Sequence, residues 1–437
     1  MTDEAREASG AEAIGGIPVP TPEAGAVAPS SSVWAIRDFR IVALGEGISG
    51  LGDAITFTAL PLLVLALTGS GAAMGVVAAL QTLPDLLLGL PLGAYADRWD
   101  RRRMMLYSDL GRAILTALIP LSVLLHLPTM AVVLLVVFPI NALRVAFMAA
   151  WTGAIPNLAG RALIGPATSY FEAIFAVGFI LGPAIAGVLA ATIGPGPTLA
   201  IDAASFIVSA VALSFVRTSM RDETARRANR HLLAEIRDGI AYVARHPVLR
   251  SAVGYWTTTG IATAGLIPAL TYFITVDLGH GADALGLIIS AFSLGSLGGS
   301  LVASQLTRGR LGMLFLGGVG FTGVTLIVVS SQTSPLVLAL IAFMAGTTNS
   351  IGLIAYVTIR ASSAPDELLG RVGATARMLS IGLQPLGAAV AGILLDVVAG
   401  GATLRLMGIV VIAGTIVFAL VGPLRAAKAP EPAAVSG

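Results

Sequence analysis

The chain has 437 residues, 56% of them hydrophobic and 11% charged, with a mean hydropathy of +0.89. Soluble domains carry about 25% charged residues, so this composition excludes a water-soluble globular protein and places the chain in a bilayer. The formal net charge of +2 decides nothing, and the absence of cysteine excludes disulfides and thiolate chemistry without naming a compartment.

Residues 1–33 are rich in Pro, Ala, Gly and acidic side chains and lack an apolar core, which reads as a disordered tail rather than a signal peptide. Continuous apolar runs follow, each near the roughly 20 residues that a membrane-spanning helix needs. Twelve are predicted, at 41–67, 72–96, 104–126, 130–152, 165–192, 197–216, 251–277, 283–306, 311–331, 335–359, 372–398 and 403–424. Strands of a membrane barrel would alternate over about ten residues. These runs do not, so the expected class is an all-α integral membrane protein.

One side of these spans collects Arg37, Arg40, the arginines of 97–103, Arg161, those from Arg217 to Arg250, Arg308, Arg310, Arg360, Arg371, Arg425 and Lys428, whereas the opposite loops hold only Arg405. Positive charge is retained in the cytoplasm, so both termini are expected there. The preference for arginine over lysine, with abundant alanine and glycine, suggests a GC-rich bacterial genome and hence an inner (plasma) membrane.

The only long polar interruption, 217–250, divides the chain into an N-terminal six-helix bundle at 34–216 and a C-terminal one at 251–425, with a cytoplasmic tail at 426–437. Within it, Leu232, Leu233, Ile236, Ile240 and Val243 share one face of a helix that Pro247 would end, an amphipathic helix for the cytoplasmic surface. Its first part, RDETARRANR, reads equally well as solvated linker. GPAIAGVL from Gly182 returns as GAAVAGIL from Gly387, which makes helices five and eleven counterparts. The stretch GAYADRWDRRR at Gly93–Arg103 has a degraded copy in the Gly-rich run Gly295–Gly299 followed by TRGR at Thr307–Arg310. Parallel halves suit alternating access, in which one half rocks against the other around a central site.

GAYADRWDRRR resembles the signature loop between the second and third helices of major facilitator superfamily transporters. With FRIVALGEGISGLGDAITFTALPLLVLALTGS in the first helix, ARHPVLR before the seventh and GRVGATARMLSIGLQPLGAAVAGILLD in the eleventh, the likeness covers Trp34 to Arg425. It is closest to the drug and siderophore exporter branch that includes macrolide efflux proteins and the enterobactin exporter. The resemblance implies the major facilitator fold of two six-helix bundles. It also implies that Asp97 docks on the start of helix eleven, Gly370–Gly373 with Arg371 beside it, in the outward-facing state. Physically, Gly89 and Gly93 offer a smooth face to a neighbouring helix, and Asp97 can accept from a positive helix N-terminus. Arg98, Arg101, Arg102 and Arg103 either serve this gate or only set topology. GFILGPAIAG, with Gly178, Gly182, Pro183 and Gly187, resembles the antiporter motif of family exporters, with Ala186–Gly187 where paired glycines are usual. Small residues allow close contact and Pro bends the helix; packing without bearing on export direction is the alternative.

A charge inside the bilayer costs about 2.5–3.5 kcal/mol or more and usually faces a cavity or partner. Glu46, Asp53, Asp85, Asp109, Arg112, Arg144, Glu172, Asp202, Arg377 and Asp396 all fall within predicted spans. Asp109 and Arg112, three apart, share a face and read as a structural ion pair or part of a relay. Arg144 lies where the family's fourth helix carries an arginine tied to proton transfer. Acids able to approach Arg112 or Arg144 are the natural proton carriers, Asp53 first, then Glu46 and Glu172. Phe57, Phe147, Trp151, Phe175, Tyr255, Trp256, Tyr272, Asn349 and Gln384 could wall an amphipathic substrate, and none is singled out.

An enzyme is not expected. GVGFTG at Gly318–Gly323 spells a dinucleotide fingerprint, but it lies inside an apolar helix with no strand before it. No P-loop, zinc helix or serine elbow occurs, and the 4 histidines are scattered, so no metal, cofactor or nucleic acid is expected and the proton gradient is the default driver. The function read from the chain is proton-coupled export of amphipathic small molecules, drug or siderophore-like metabolite, by a lipid-embedded monomer. The alternatives are an importer or facilitator of a small solute, and a non-transporting sensor or scaffold.

Overall fold

The computed structural model describes residues 32–96, 98–220, 232–306, 309–365 and 368–427. Asp97, Thr307, Arg308, Lys428, residues 1–31 and all of RDETARRANR lie outside the described residues. Among those described, every regular element is helical: α1 (Arg37–Thr68), α2 (Gly71–Ala96), α3 (Arg101–Leu124), α4 (Thr129–Ala159), α5 (Ile164–Ile193), α6 (Pro195–Ser214), α7 (Leu232–Arg245), α8 (Pro247–Thr263), α9 (Leu266–Tyr272), α10 (Ala282–Leu306), α11 (Leu311–Val329), α12 (Pro335–Ser362), α13 (Leu369–Gly382) and α14 (Gln384–Val421). Boundaries follow local chemistry. Gly69, at φ 62°, ends α1 in the left-handed region that glycine tolerates. Asp100 caps α3 by accepting from the Arg103 amide at 3.2 Å. The linker helix α7 ends at Arg245, just before Pro247 as expected, and Pro247 occupies the first turn of α8, where its missing N–H costs nothing.

Three predicted spans are not simple separate helices. The seventh breaks at Ala264 and Gly265 into α8 and α9 and closes in a π turn at Phe273–Asp277. The eleventh and twelfth share continuous helical assignment through α14, so eleven helices among the described residues are long and apolar enough to cross a membrane, the last being 369–420. Ala399, with φ 67° and ψ 174°, turns the chain back. Before it Gly382 faces Leu86 and Gly392 faces Gly75; after it Gly408 faces Gly323 and Gly312 meets Leu424. The stretch therefore makes two crossings, giving twelve among the described residues.

Helices α1 to α6 form one bundle and α8 to α14 the other, and the halves meet where α5 packs on α10 and α2 on α14. Helix association inside lipid relies on close packing of small residues, and glycines mark these seams. A Cβ on Gly187 would lie 3.0 Å from Asp283 Cα, and one on Gly75 would lie 2.7 Å from Gly392 Cα. Both contacts lie at the face opposite the arginine loops. At the arginine face the seams open: Gly89 and Gly93 on α2 and Gly370 and Gly373 on α13 have nothing within 4 Å of where a Cβ would stand. The smooth face expected to pack tightly at Gly89 and Gly93 thus lines open space, because the halves have parted there.

The linker is anchored at both ends. Asp38 accepts from the amides of Arg217 and Thr218 at 2.9 and 2.8 Å, and Met220 is buried. Helix α7 lies against α13 at the arginine face, with Gly239 over the Arg371 carbonyl, Val243 buried and Asp238 3.9 Å from the Arg371 guanidinium. Folded structure also reaches into both expected tails: Val33 is buried, and the Ala427 carbonyl accepts from Gly312 N at 3.1 Å.

Candidate functional site

Three helices of the N-terminal bundle each carry a polar stripe at helical spacing, and the fold brings the stripes together. Helix α1 supplies Glu46, Asp53 and Thr56, α3 supplies Asp109 and Arg112, and α6 supplies Asp202, Ser205, Phe206 and Ser209. Arg112, 3% exposed, donates to Asp53, lies 3.9 Å from Asp109 and stands 3.9 Å over the Phe206 ring. Its charge thus has two carboxylates beside it and an aromatic face close by, which suits a guanidinium. Thr56 donates to Asp202 at 2.5 Å and Ser205 lies 3.2 Å from the other carboxylate oxygen. Gly52 makes room for this contact, since a Cβ there would stand 2.9 Å from Ser205 Cβ.

Ser209 joins the stripes. Its Oγ is 3.0 Å from Glu46 Oε1 and 2.6 Å from Asp109 Oδ2, with Glu46 4% and Asp109 0% exposed. A hydroxyl has one hydrogen to donate. Both contacts are hydrogen bonds only when one of the two carboxyls carries a proton and donates it to Ser209. Asp53, with 34% of its side chain exposed, is the accessible end of this chain of groups.

The second intramembrane arginine serves a separate pair. Arg144 on α4 binds Asp85 on α2 at 2.5 Å and takes Asn141 Oδ1 at 3.2 Å. Of the proposed coupling residues, Asp53, Glu46, Asp109 and Arg112 are therefore assembled, Arg144 lies with Asp85, and Glu172 touches neither arginine.

Two of the arginines expected at the gate donate to backbone carbonyls of their own half. Arg101, 6% exposed, donates to the Gly153 carbonyl at 3.0 Å, and Arg102 donates to the Leu213 carbonyl at 2.8 Å and to Ser214, where α6 ends. Arg103 is exposed beside Asp100, Arg98 is exposed, and Arg371 approaches Asp238. The helix-five motif divides its work: Gly178 and Gly182 fit against Gly50 and Ala54 of α1, while Pro183 and Gly187 form the seam with α10.

At the opposite face, Asp396 of α14 crosses to the other half and caps α2. It accepts from Ser70 Oγ at 2.8 Å, Gly71 N at 2.5 Å and Ala72 N at 3.0 Å. A carboxylate at a helix N-terminus answers both the unpaired amides and the positive end of the dipole. At the arginine face two cavities separate the halves. One of about 750 Å³ lies between α5 and α10, and one of about 440 Å³ lies between α2, α4 and α13, with Asp85 and Arg377 in its wall. A third, about 280 Å³ and almost wholly apolar, lies between Phe57, Phe179 and helices α9 to α12. The two halves therefore meet closely at one face and stand apart at the other.

Comparison with known proteins agrees with this architecture. The family model described as transmembrane secretion effector matches residues 26–435. The chain belongs to this family of major facilitator transporters. It is a multi-pass secondary transporter of small molecules, not an enzyme. The multidrug efflux pump Tap of Mycolicibacterium fortuitum is 32% identical over 374 residues, 80% of this chain and 87% of that one. Macrolide efflux protein A of Streptococcus pyogenes is 23% identical over 277 residues, 62% and 66% of the two chains. Among solved structures, nucleoside transporter NupG superposes with a TM-score of 0.69 at 12% identity, over 87% of this chain and 98% of that one, a likeness of fold.

Within this transporter fold, the sequence reading overlooked Ser209, Ser205, Thr56 and the cap made by Asp396. Asp202, Ser205, Phe206 and Ser209 are spaced i, i+3, i+4, i+7, so a polar face on an otherwise apolar α6 was the available signal. Ser70 before the apolar run of α2 was the matching sign of a helix start awaiting an acceptor.

Proposed function

We propose that the protein is a proton-coupled exporter that carries amphipathic small molecules, drugs or siderophore-like metabolites, out of a bacterial cytoplasm by alternating access. The arginine face and both termini lie in the cytoplasm, and a single chain suffices for the cycle. The described state then opens to the cytoplasm, ready to load, and Asp97 docks on the start of α13 when that side closes. The names of its relatives support efflux, and the positive loops support the orientation.

The observation that carries the coupling is the Glu46, Ser209 and Asp109 bridge beside Arg112. One guanidinium cannot neutralise Glu46, Asp53, Asp109 and Asp202 together in a low-dielectric interior. The cluster therefore stores at least one proton, and movement of α1 against α3 and α6 changes how many it holds. Asp53 is the gate of this store, because it is both bound to Arg112 and accessible.

The test is transport in inside-out vesicles energised by a pH gradient. Asp53→Asn retains substrate binding and downhill exchange and loses uphill accumulation, and Asp53→Glu keeps part of it. Undiminished proton-driven accumulation by Asp53→Asn rules out this role, and wild-type accumulation in the reverse direction rules out export.

A further inference from the structure

We infer that the cleft between α5 and α10 is a binding site for protonated amphipathic amines, with Glu172 receiving the ammonium and the pocket beside Phe57 and Phe179 receiving the apolar body. The inference rests on the export reading and names its ligand class. Glu172 lies eight residues into α5, about 12 Å along the helix, and makes no hydrogen bond or ion pair among the described residues. Glu172 is exposed to this cleft, so its unpartnered carboxylate is free to take a cation that enters.

The facing wall sharpens the specificity. Ser293, Ser296 and Ser300, spaced i, i+3 and i+7, present one face of α10 to the cleft. Each hydroxyl hydrogen is already committed to a backbone carbonyl: Ser293 to Ile289 at 3.1 Å, Ser296 to Gly346 at 3.3 Å and Ser300 to Leu297 at 2.8 Å. What these hydroxyls offer the cleft is lone pairs. Together with Glu172 they form a wall of acceptors, whose complement is a cation bearing N–H donors. The cleft adjoins the apolar pocket, since Phe179 and Ser293 line both. Glu172 and Phe179 are two turns apart on α5, about 10 Å. A ligand that satisfies both ends has an ammonium separated by that distance from an aromatic or aliphatic body, and the volume of about 750 Å³ admits a drug-sized molecule.

Dansylcadaverine, a fluorescent primary amine of this shape, and its uncharged N-acetyl derivative provide the probe pair. Binding to the full-length protein in nanodiscs is followed by dansyl fluorescence, with size-exclusion profiles confirming that each variant is folded. The wild type is expected to bind the amine about tenfold more tightly than the acetylated probe. In Glu172→Gln the amine falls to the affinity of the acetylated probe, Glu172→Asp restores part of the preference, and Phe179→Ala weakens both probes alike. Equal binding of the two probes by the wild type, or equal loss of both in Glu172→Gln, overturns the inference. Vesicle transport of the same pair separates the two levels. Amine-selective binding without outward transport upholds the site and refutes export, whereas outward transport without amine selectivity upholds export and refutes the site.

Discussion

The capping of α2 by Asp396 ties the two halves together at the face opposite the arginines, and removing it should shift the balance between the two states. The carboxylate takes two backbone amides and one hydroxyl from the first turn of the partner half. Replacing a helix N-cap by alanine costs about 0.5–2 kcal/mol, and a favourable charge at a helix N-terminus adds roughly 0.3–1 kcal/mol. Asp396 is exposed, so water and salt screen part of this, and about 1 kcal/mol is the expected net loss in Asp396→Ala. That corresponds to about a fivefold change in the ratio of states. The chain has 0 cysteines, so a pair of spin labels at Leu67 and Val397, both exposed beside this seam, reports the separation without background. In the alanine variant the longer-distance population should rise about fivefold, while Asp396→Asn, which keeps a cap oxygen, should move it less. An unchanged distance distribution in a folded Asp396→Ala protein would show that the cap follows closure and does not stabilise it.

Other perturbations test the remaining contacts. Gly187→Val places side-chain atoms against the backbone of Asp283 and Gly286, which cannot yield as a side-chain tip would. Overpacking of about 1–3 kcal/mol should favour opening of that face, and faster labelling of cysteines there would show it. Arg112→Leu leaves Asp53 and Asp109 without their cation and should destabilise the protein by roughly 3–5 kcal/mol. Adding Asp109→Asn should recover part of the loss in a thermal-unfolding cycle, and strict additivity would mean the pair does not interact. Asp97→Asn should insert normally and transport slowly, and a wild-type rate across the pH range would leave Asp97 a topology residue only.

The class of fold was legible because bilayer physics is unforgiving: apolar runs long enough to span lipid and one-sided arginines leave few alternatives. Breaks within runs were harder to see. Ala399 turns the chain between the last two crossings with an alanine in a left-handed conformation, and nothing in the local composition marks that residue rather than Gly400 or Gly401. The break at Ala264 and Gly265 carries only one glycine in a chain with 51. For the site, charges were easily found because each is expensive in lipid, but partner choice depends on how helices turn toward one another. Arg112 and Arg144, three and four turns from their helix starts, looked equally able to meet Asp53 until the packing of α1 on α3 and α6 gave Asp53 to Arg112 alone. Serines escaped notice because a hydroxyl in lipid is usually satisfied by its own helix, as Ser122 and Ser330 are here; Ser209 instead bridges two acids.

The two gates have one design with the roles exchanged. At one face an acid near the end of the eleventh crossing, Asp396, caps the start of α2. At the other, an acid just past the end of α2, Asp97, is expected to cap the start of α13. In the proposed cycle each half rocks as a body, so making one cap separates the other, and the two compete through the same pair of helices. Caps of about 1 kcal/mol each would leave the states within about tenfold of one another, which a transporter needs if neither state is to trap it. The double variant Asp97→Asn, Asp396→Ala should therefore bring the Leu67 to Val397 distance distribution back toward that of the wild type, with each single variant displaced in the opposite sense. Displacement of both singles in one direction would show that the acids do not oppose each other and that the balance is set elsewhere along the seams.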